Sequence, residues 1–185
     1  MNKAALKRLA LELRQEIDLT AHDPFNPLEL ADLYGVDVVR LSDIDGCPEA
    51  LEYFRVQRPD KFSGALVPMP GGGTVILEND YHEPERRIST ASHEVAHVTL
   101  EHPFAATLTN SDGCRVSVKE HEEEAAELSG ELLLPTEAAR RLAYNKATDE
   151  DVARRFGISV QFARWRMNAT GARKIAKRAF AKRGR

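Results

Sequence analysis

The stretch Pro84-Glu85-Arg86-Arg87-Ile88-Ser89-Thr90-Ala91-Ser92-His93-Glu94-Val95-Ala96-His97-Val98-Thr99-Leu100-Glu101-His102 decides how the rest of the chain is read. Pro84 stands just inside its start and Pro103 just past its end, so one helix is predicted over Pro84 to His102. Within it His93 and His97 are four residues apart. Both imidazoles therefore project from one face, about one turn from each other, and can bind one ion. Zinc suits two imidazoles, and Glu94 lies about 100° round the helix, beside the open coordination position, where it can take a proton from a bound water. With 6 histidines and 18 glutamates in 185 residues, about 0.02 matches to His-Glu-x-x-His are expected by chance. A metal site is favoured on this count over a pair of solvated helix histidines.

The longer spacing His-Glu-x-x-His-x-x-Gly-x-x-His would need a histidine at position 103, but Pro103 stands there and Leu100 replaces the glycine. That class is ruled out. A glutamate on a later helix is the other common solution, and a helix is predicted over Lys119 to Leu134, stopped by Pro135. At 100° per residue, Glu122, Ala125, Ala126, Ser129, Leu132 and Leu133 share one face, while Glu120, Glu123, Glu124, Glu127 and Glu131 gather on an opposite, solvated one. Glu122 alone continues the small and apolar stripe, where an unpaired carboxylate is costly and a cation stabilises it. Glu122 is the candidate third ligand. The competing reading has it capping or salt-bridging at the helix start. His102 and His121 read as polar surface or loop residues, and His22 is uninformative.

Upstream, Leu6, Leu9, Leu13 and Ile17 give an amphipathic helix over Asn2 to Ile17. Asn26-Pro27 opens a second helix that ends at Gly35, followed by a strand from Val36 to Leu41. Three further β-compatible segments are Tyr53 to Val56, Gly64 to Val67 and Thr74 to Glu78. The last two flank Pro68-Met69-Pro70-Gly71-Gly72-Gly73, which predicts a hairpin with a long loop. That glycine run lacks the Gly-Lys-Ser/Thr and helix of a phosphate cradle. Downstream of the His93 helix come a polar loop with Asn110-Ser111-Asp112-Gly113, the Glu122 helix, a shorter helix over Thr136 to Tyr144, and two short helices around Gly157 within Thr148 to Asn168.

No unbroken apolar run approaches the length of a membrane span, and the first twenty residues carry charges throughout, so neither a spanning helix nor a signal peptide is expected. Cys47 and Cys114 show no metal or disulfide spacing. The expected location is cytoplasmic. The formal charge of −3 hides an asymmetry: net −13 up to Glu150 and net +10 after it. The basic end meets a polyanion or the acidic body of the same protein. Asp151 to Met167 reads as a helix-turn-helix with Ala153 at the crossing, Gly157 in the turn and Ser159 capping the second helix. Arg164, Arg166, Arg173 and Lys174 are its candidate contacts to DNA or a partner. The competing reading is a helical hairpin packed on the remainder of the chain through Phe156, Phe162, Trp165 and Met167.

The combined pattern resembles the ImmA/IrrE family of zinc metallopeptidases. The matching stretches are Pro84-Glu85-Arg86-Arg87 and Thr90 ahead of His93-Glu94-Val95-Ala96-His97, then Glu122-x-x-Ala125 and Leu132-Leu133-Leu134-Pro135. The latter resembles the family's Glu-x-x-Ala-Asn/Asp-x-Phe-Ala-x-x-Leu-Leu-Met-Pro helix, and the similarity covers roughly residues 24 to 144. The resemblance implies Zn2+ held by His93, His97 and Glu122, with Glu94 as general base, in agreement with the helix geometry. It also implies a helix-turn-helix transcriptional repressor as substrate, cleaved in a stress response or mobile element. Ala126 departs from the family's Asn or Asp, which would steady a ligand histidine. Leu128 and Ser129 replace Phe-Ala.

The expected fold is α+β and zincin-like, a small sheet packed on the His93 and Glu122 helices, with a helix-turn-helix-like C-terminal extension. Its expected divisions are 1–22, 23–145 and 146–185. The expected function is zinc-dependent endopeptidase action on a repressor. The alternative is a metal-binding regulator without peptidase activity that acts through the basic C-terminal segment. Candidates for stabilising the oxyanion are Tyr81, His82, Tyr144 or an arginine.

Overall fold

Asn2 accepts a hydrogen bond from the Ala5 backbone N–H and starts helix α1, Lys3–Glu16, which buries Leu6, Ala10 and Leu13 along one stripe. Asn26 caps α2, Pro27–Leu33, in the same way, with Pro27 at the first helical position. A computed structural model describes residues 1–103 and 118–183. The expected Asn110-Ser111-Asp112-Gly113 loop, Cys114 and the terminal Arg185 lie outside the described residues.

The remaining elements are β1 (Asp37–Arg40), α3 (Pro48–Glu52), β2 (Gly64–Pro68), β3 (Thr74–Glu78), α4 (Pro84–Thr99), α5 (Lys119–Leu133), α6 (Thr136–Tyr144), α7 (Asp149–Phe156), α8 (Val160–Ala169) and α9 (Ala172–Arg183). The molecule is mixed α+β, and its sheet has the order β1-β3-β2. β1 runs parallel to β3, with Asp37 opposite Val75, and β2 runs antiparallel, with Gly64 opposite Glu78 and Pro68 opposite Thr74. β2 and β3 are the expected hairpin. The strand expected over Tyr53 to Val56 is absent: Tyr53–Gln57 prolongs α3 as a wider helical turn. Pro48 and the helix formers Glu49, Ala50, Leu51 and Glu52 launch that helix. The buried Asn79 amide then donates to the carbonyls of Phe54 and Phe62, so part of this backbone is satisfied without a ladder.

Contacts divide the chain into two compact units, 26–126 and 1–25 with 127–185. The first holds the sheet, α2, α3, α4 and the start of α5. There α4 packs on α2, β2 and β3. Arg87 in its first turn donates to the buried Glu78 carboxylate at 2.7 Å, and Arg86 donates to Ser63 Oγ at 2.7 Å, so the start of α4 is tied to the end of β3 and the approach to β2.

The second unit is helical and is organised by two buried arginines. Arg14 on α1 donates to the carbonyls of Thr20, Asp23 and Leu132. Arg166 on α8 donates to the Leu134 carbonyl and pairs with Glu131 at 2.5 Å and Glu127 at 3.7 Å. Glu131 also accepts from the Thr136 backbone N–H and hydroxyl at the start of α6. The expectation that Glu127 and Glu131 lie on a solvated face is corrected here. Their helix meets neighbours on more than one side, and a two-face wheel has no place for that. α7 carries a reciprocal capping box of Thr148 and Asp151 and ends at Gly157, whose φ of +65° gives the left-handed turn into α8. The basic tail forms α9. Among the described residues, no helix is long and apolar enough to cross a membrane.

Candidate metal centre

Helix α4 places His93 and His97 on one face, as the four-residue spacing requires, with ring centroids 4.8 Å apart. Their Nε2 atoms are 3.1 Å apart. Glu122 enters from the first turn of α5, its Oε2 lying 3.2 Å from His93 Nε2 and its Oε1 3.6 Å from His97 Nε2. An ion with tetrahedral bonds of about 2.0–2.1 Å spaces its ligand atoms about 3.3 Å apart. The three separations fall around that edge length. Two neutral imidazoles and a carboxylate have too few protons to satisfy three mutually facing acceptor positions, whereas one cation satisfies all three at once. The donor set therefore fits a metal ion. His97 is 7% exposed, His93 28% and Glu122 36%, so His97 is the most enclosed of the three.

Glu94 follows His93 on the same helix and is buried. The strand beside it is β2, an edge of the sheet. A Cβ built on Gly64 would lie 2.6 Å from Thr90 Cγ2, 3.1 Å from the Leu77 carbonyl oxygen and 4.0 Å from Glu94 Cγ. Only glycine lets the start of this edge strand approach the Thr90–Glu94 part of α4. The sequence reading used Gly64 as a strand start and missed this role. A glycine opening the strand Gly64–Pro68 was the available signal.

His102 and Glu124 are the second departure. The expectation that His102 is a surface or loop residue is corrected: its side chain is 7% exposed, its Nδ1 lies 3.0 Å from His97 Nδ1, and its Nε2 lies 3.2 Å from Glu124 Oε2. His121 stacks on the His102 ring at a centroid distance of 4.3 Å. Burial and the neighbouring His121 hold the His102 pKa below the ordinary histidine value. Glu124, assigned by the helical wheel to the solvated face, is only partly exposed and meets this ring.

The family model for peptidase M78, described as an IrrE N-terminal-like domain, matches residues 31–168. The chain belongs to this family. No curated protein matches it. M78 peptidases are metal-dependent, and the M78 match contains His93, Glu94, His97 and Glu122 together.

The remaining candidates are placed as follows. Among the oxyanion candidates, His82 Nε2 contacts the Pro59 carbonyl, the Tyr81 ring stacks on the Arg55 guanidinium, and Tyr144 packs on Phe180. Arg166 is corrected as a contact to DNA or a partner, because it is fully enclosed with Glu131 and Glu127. Burying its carbon stem and meeting inward carboxylates stabilised that orientation over a solvent-facing one. Arg164 and Arg173 both pair with Asp149, and Lys174 is exposed.

Proposed function

We propose that this M78 member is a zinc-dependent endopeptidase acting on a helix-turn-helix transcriptional repressor, whose cleavage relieves repression in a stress response or mobile element. The observation that carries the peptidase reading is the convergence, within 4.8 Å, of Glu122 from α5 with His93 and His97 of α4, the helix that also bears Glu94. Zinc, when bound there, supplies a Lewis acid for the peptide carbonyl and makes water more acidic. Glu94 accepts the proton of the attacking water and later delivers it to the leaving amine. The edge strand β2 supports the reading of an extended substrate segment added beside α4, since main-chain groups on an edge are available for pairing. In this reading 23–145 is the zincin-like peptidase and 146–185 is a helix-turn-helix-like extension, for which the capped pair α7 and α8 around Gly157 gives support.

The test is incubation of the zinc-supplemented protein with helix-turn-helix repressors from the same genome. Cleavage at one bond, lost in Glu94→Gln while zinc content stays unchanged, is the expected result. Equal cleavage by Glu94→Gln sinks the mechanism. The alternative, regulation through DNA, is tested by salt-dependent retention of duplex DNA, with Lys174 as an exposed candidate contact.

A further inference from the structure

We propose that His102, backed by Glu124, is the positioning residue that fixes the tautomer and ring orientation of His97. The inference rests on the metal-site reading of His93, His97 and Glu122, and it concerns a pair of residues outside that set. If His97 presents the Nε2 lone pair to a cation, its single proton sits on Nδ1. His102 Nδ1, 3.0 Å away, accepts that proton. The His102 proton then sits on Nε2 and is donated to the Glu124 carboxylate at 3.2 Å. One assignment of protons satisfies all three contacts. The opposite tautomer of His97 would aim an N–H at His93 Nε2 and leave two lone pairs facing each other across the His97–His102 contact.

The backbone is bent to make this contact. After α4 the His102 N–H donates to the His97 carbonyl, and the Glu101 N–H donates to the Val98 carbonyl. This is the paired 6→1 and 5→2 pattern of a Schellman cap. Glu101 takes the left-handed position with φ +52°, where glycine is usual and a side chain costs about 1 kcal/mol. The turn returns His102 onto the last helical ring of α4, and the stacked His121 ring holds its plane. Ala126 has no side-chain acceptor to offer in this role. A carboxylate and a buried ring behind a ligand histidine orient the ring and raise its basicity.

The experiment compares full-length wild type with Glu124→Gln, His102→Leu and His102→Gln, using zinc ion as the probe in competition with a chromophoric chelator. The proposal expects Glu124→Gln and His102→Leu to bind one zinc per chain about 10–100-fold more weakly. His102→Gln, whose amide oxygen can accept from His97 Nδ1–H, should recover part of the loss. Histidine-ring 1H–15N spectra of the zinc-loaded protein should show a slowly exchanging His97 Nδ1–H in wild type that is lost in His102→Leu. A purely structural role would lower the melting temperature without moving that proton or separating Gln from Leu. Wild-type affinity in both Glu124→Gln and His102→Leu overturns the positioning role while leaving the metal site intact. Absence of zinc binding by wild type overturns the metal-site reading, and this inference with it.

Discussion

Glu94 and Gly64 meet where the start of β2 approaches α4, and the two make different demands. In the proposed mechanism Glu94 is the proton acceptor, so Glu94→Gln should lower peptide hydrolysis by about 10²–10⁴-fold at constant zinc content, measured by turnover of a cleaved segment. Gly64 must offer nothing at all. Gly64→Ala places a methyl 2.6 Å from Thr90 Cγ2, and an overpacked site of this kind costs about 1–3 kcal/mol in denaturant unfolding. Adding Thr90→Ser removes the opposing methyl and should recover part of that loss. No recovery would place the strain on the backbone contact with the Leu77 carbonyl instead.

Among the elements, α7 carries its own start signal. Thr148 and Asp151 cap it reciprocally, so Thr148→Ala should destabilise the helical unit by about 1 kcal/mol, read from thermal or urea unfolding. Backbone and side-chain hydrogen bonds from Thr148 hold the Asp151 carboxyl below its usual range. Its folded pKa is therefore depressed, so its contribution is present above the unfolded value and is lost as pH falls through the folded one. The effect of Thr148→Ala should shrink as pH falls from neutral through the depressed folded value of Asp151. Helices with local signals of this kind (α1, α2, α4, α6, α7 and α8) were legible, because Asn, Ser, Thr or Pro marks their first turns. Tyr53–Gln57 was not legible, because aromatic and β-branched residues favour strands unless a preceding helix and the Asn79 amide claim the backbone.

Across the molecule, the buried charges carry the largest single-residue effects. Arg166 and Glu131 are each about 2% exposed, and Arg166→Met leaves Glu131 with only the more distant, part-exposed Lys7 at 3.7 Å as a cation, which should cost about 3 kcal/mol in equilibrium unfolding of the full chain. Replacing both partners with apolar residues should cost much less. The same network has an acid limit. Burial pushes the Glu127 carboxyl up, but the Lys3 hydrogen bond and the charges of Arg166, Lys3 and Lys7 outweigh it and hold the pKa below the ordinary value. With a depressed folded pKa, that stabilisation is complete above about pH 4.3 and falls away as pH drops through the lower folded value. Unfolding midpoints of wild type and Glu127→Gln should converge in that acid range.

The sequence by itself determined the helix that carries the chemistry and the face on which His93 and His97 meet, since four residues on a helix fix one angle. It also determined the Glu122 candidate and the hairpin, through periodicity and turn residues. Tertiary structure decided what periodicity cannot encode. A wheel divides a helix into two faces, but α5 meets neighbours on several sides, so Glu124, Glu127 and Glu131 turn inward where a single-helix reading exposes them. His102 looks like loop polarity until a left-handed Glu101 folds it back onto His97. Arg166 looks like a DNA contact until buried carboxylates meet it. In each case the deciding energy is that of a buried polar group finding its partner across the fold, a quantity local sequence does not contain.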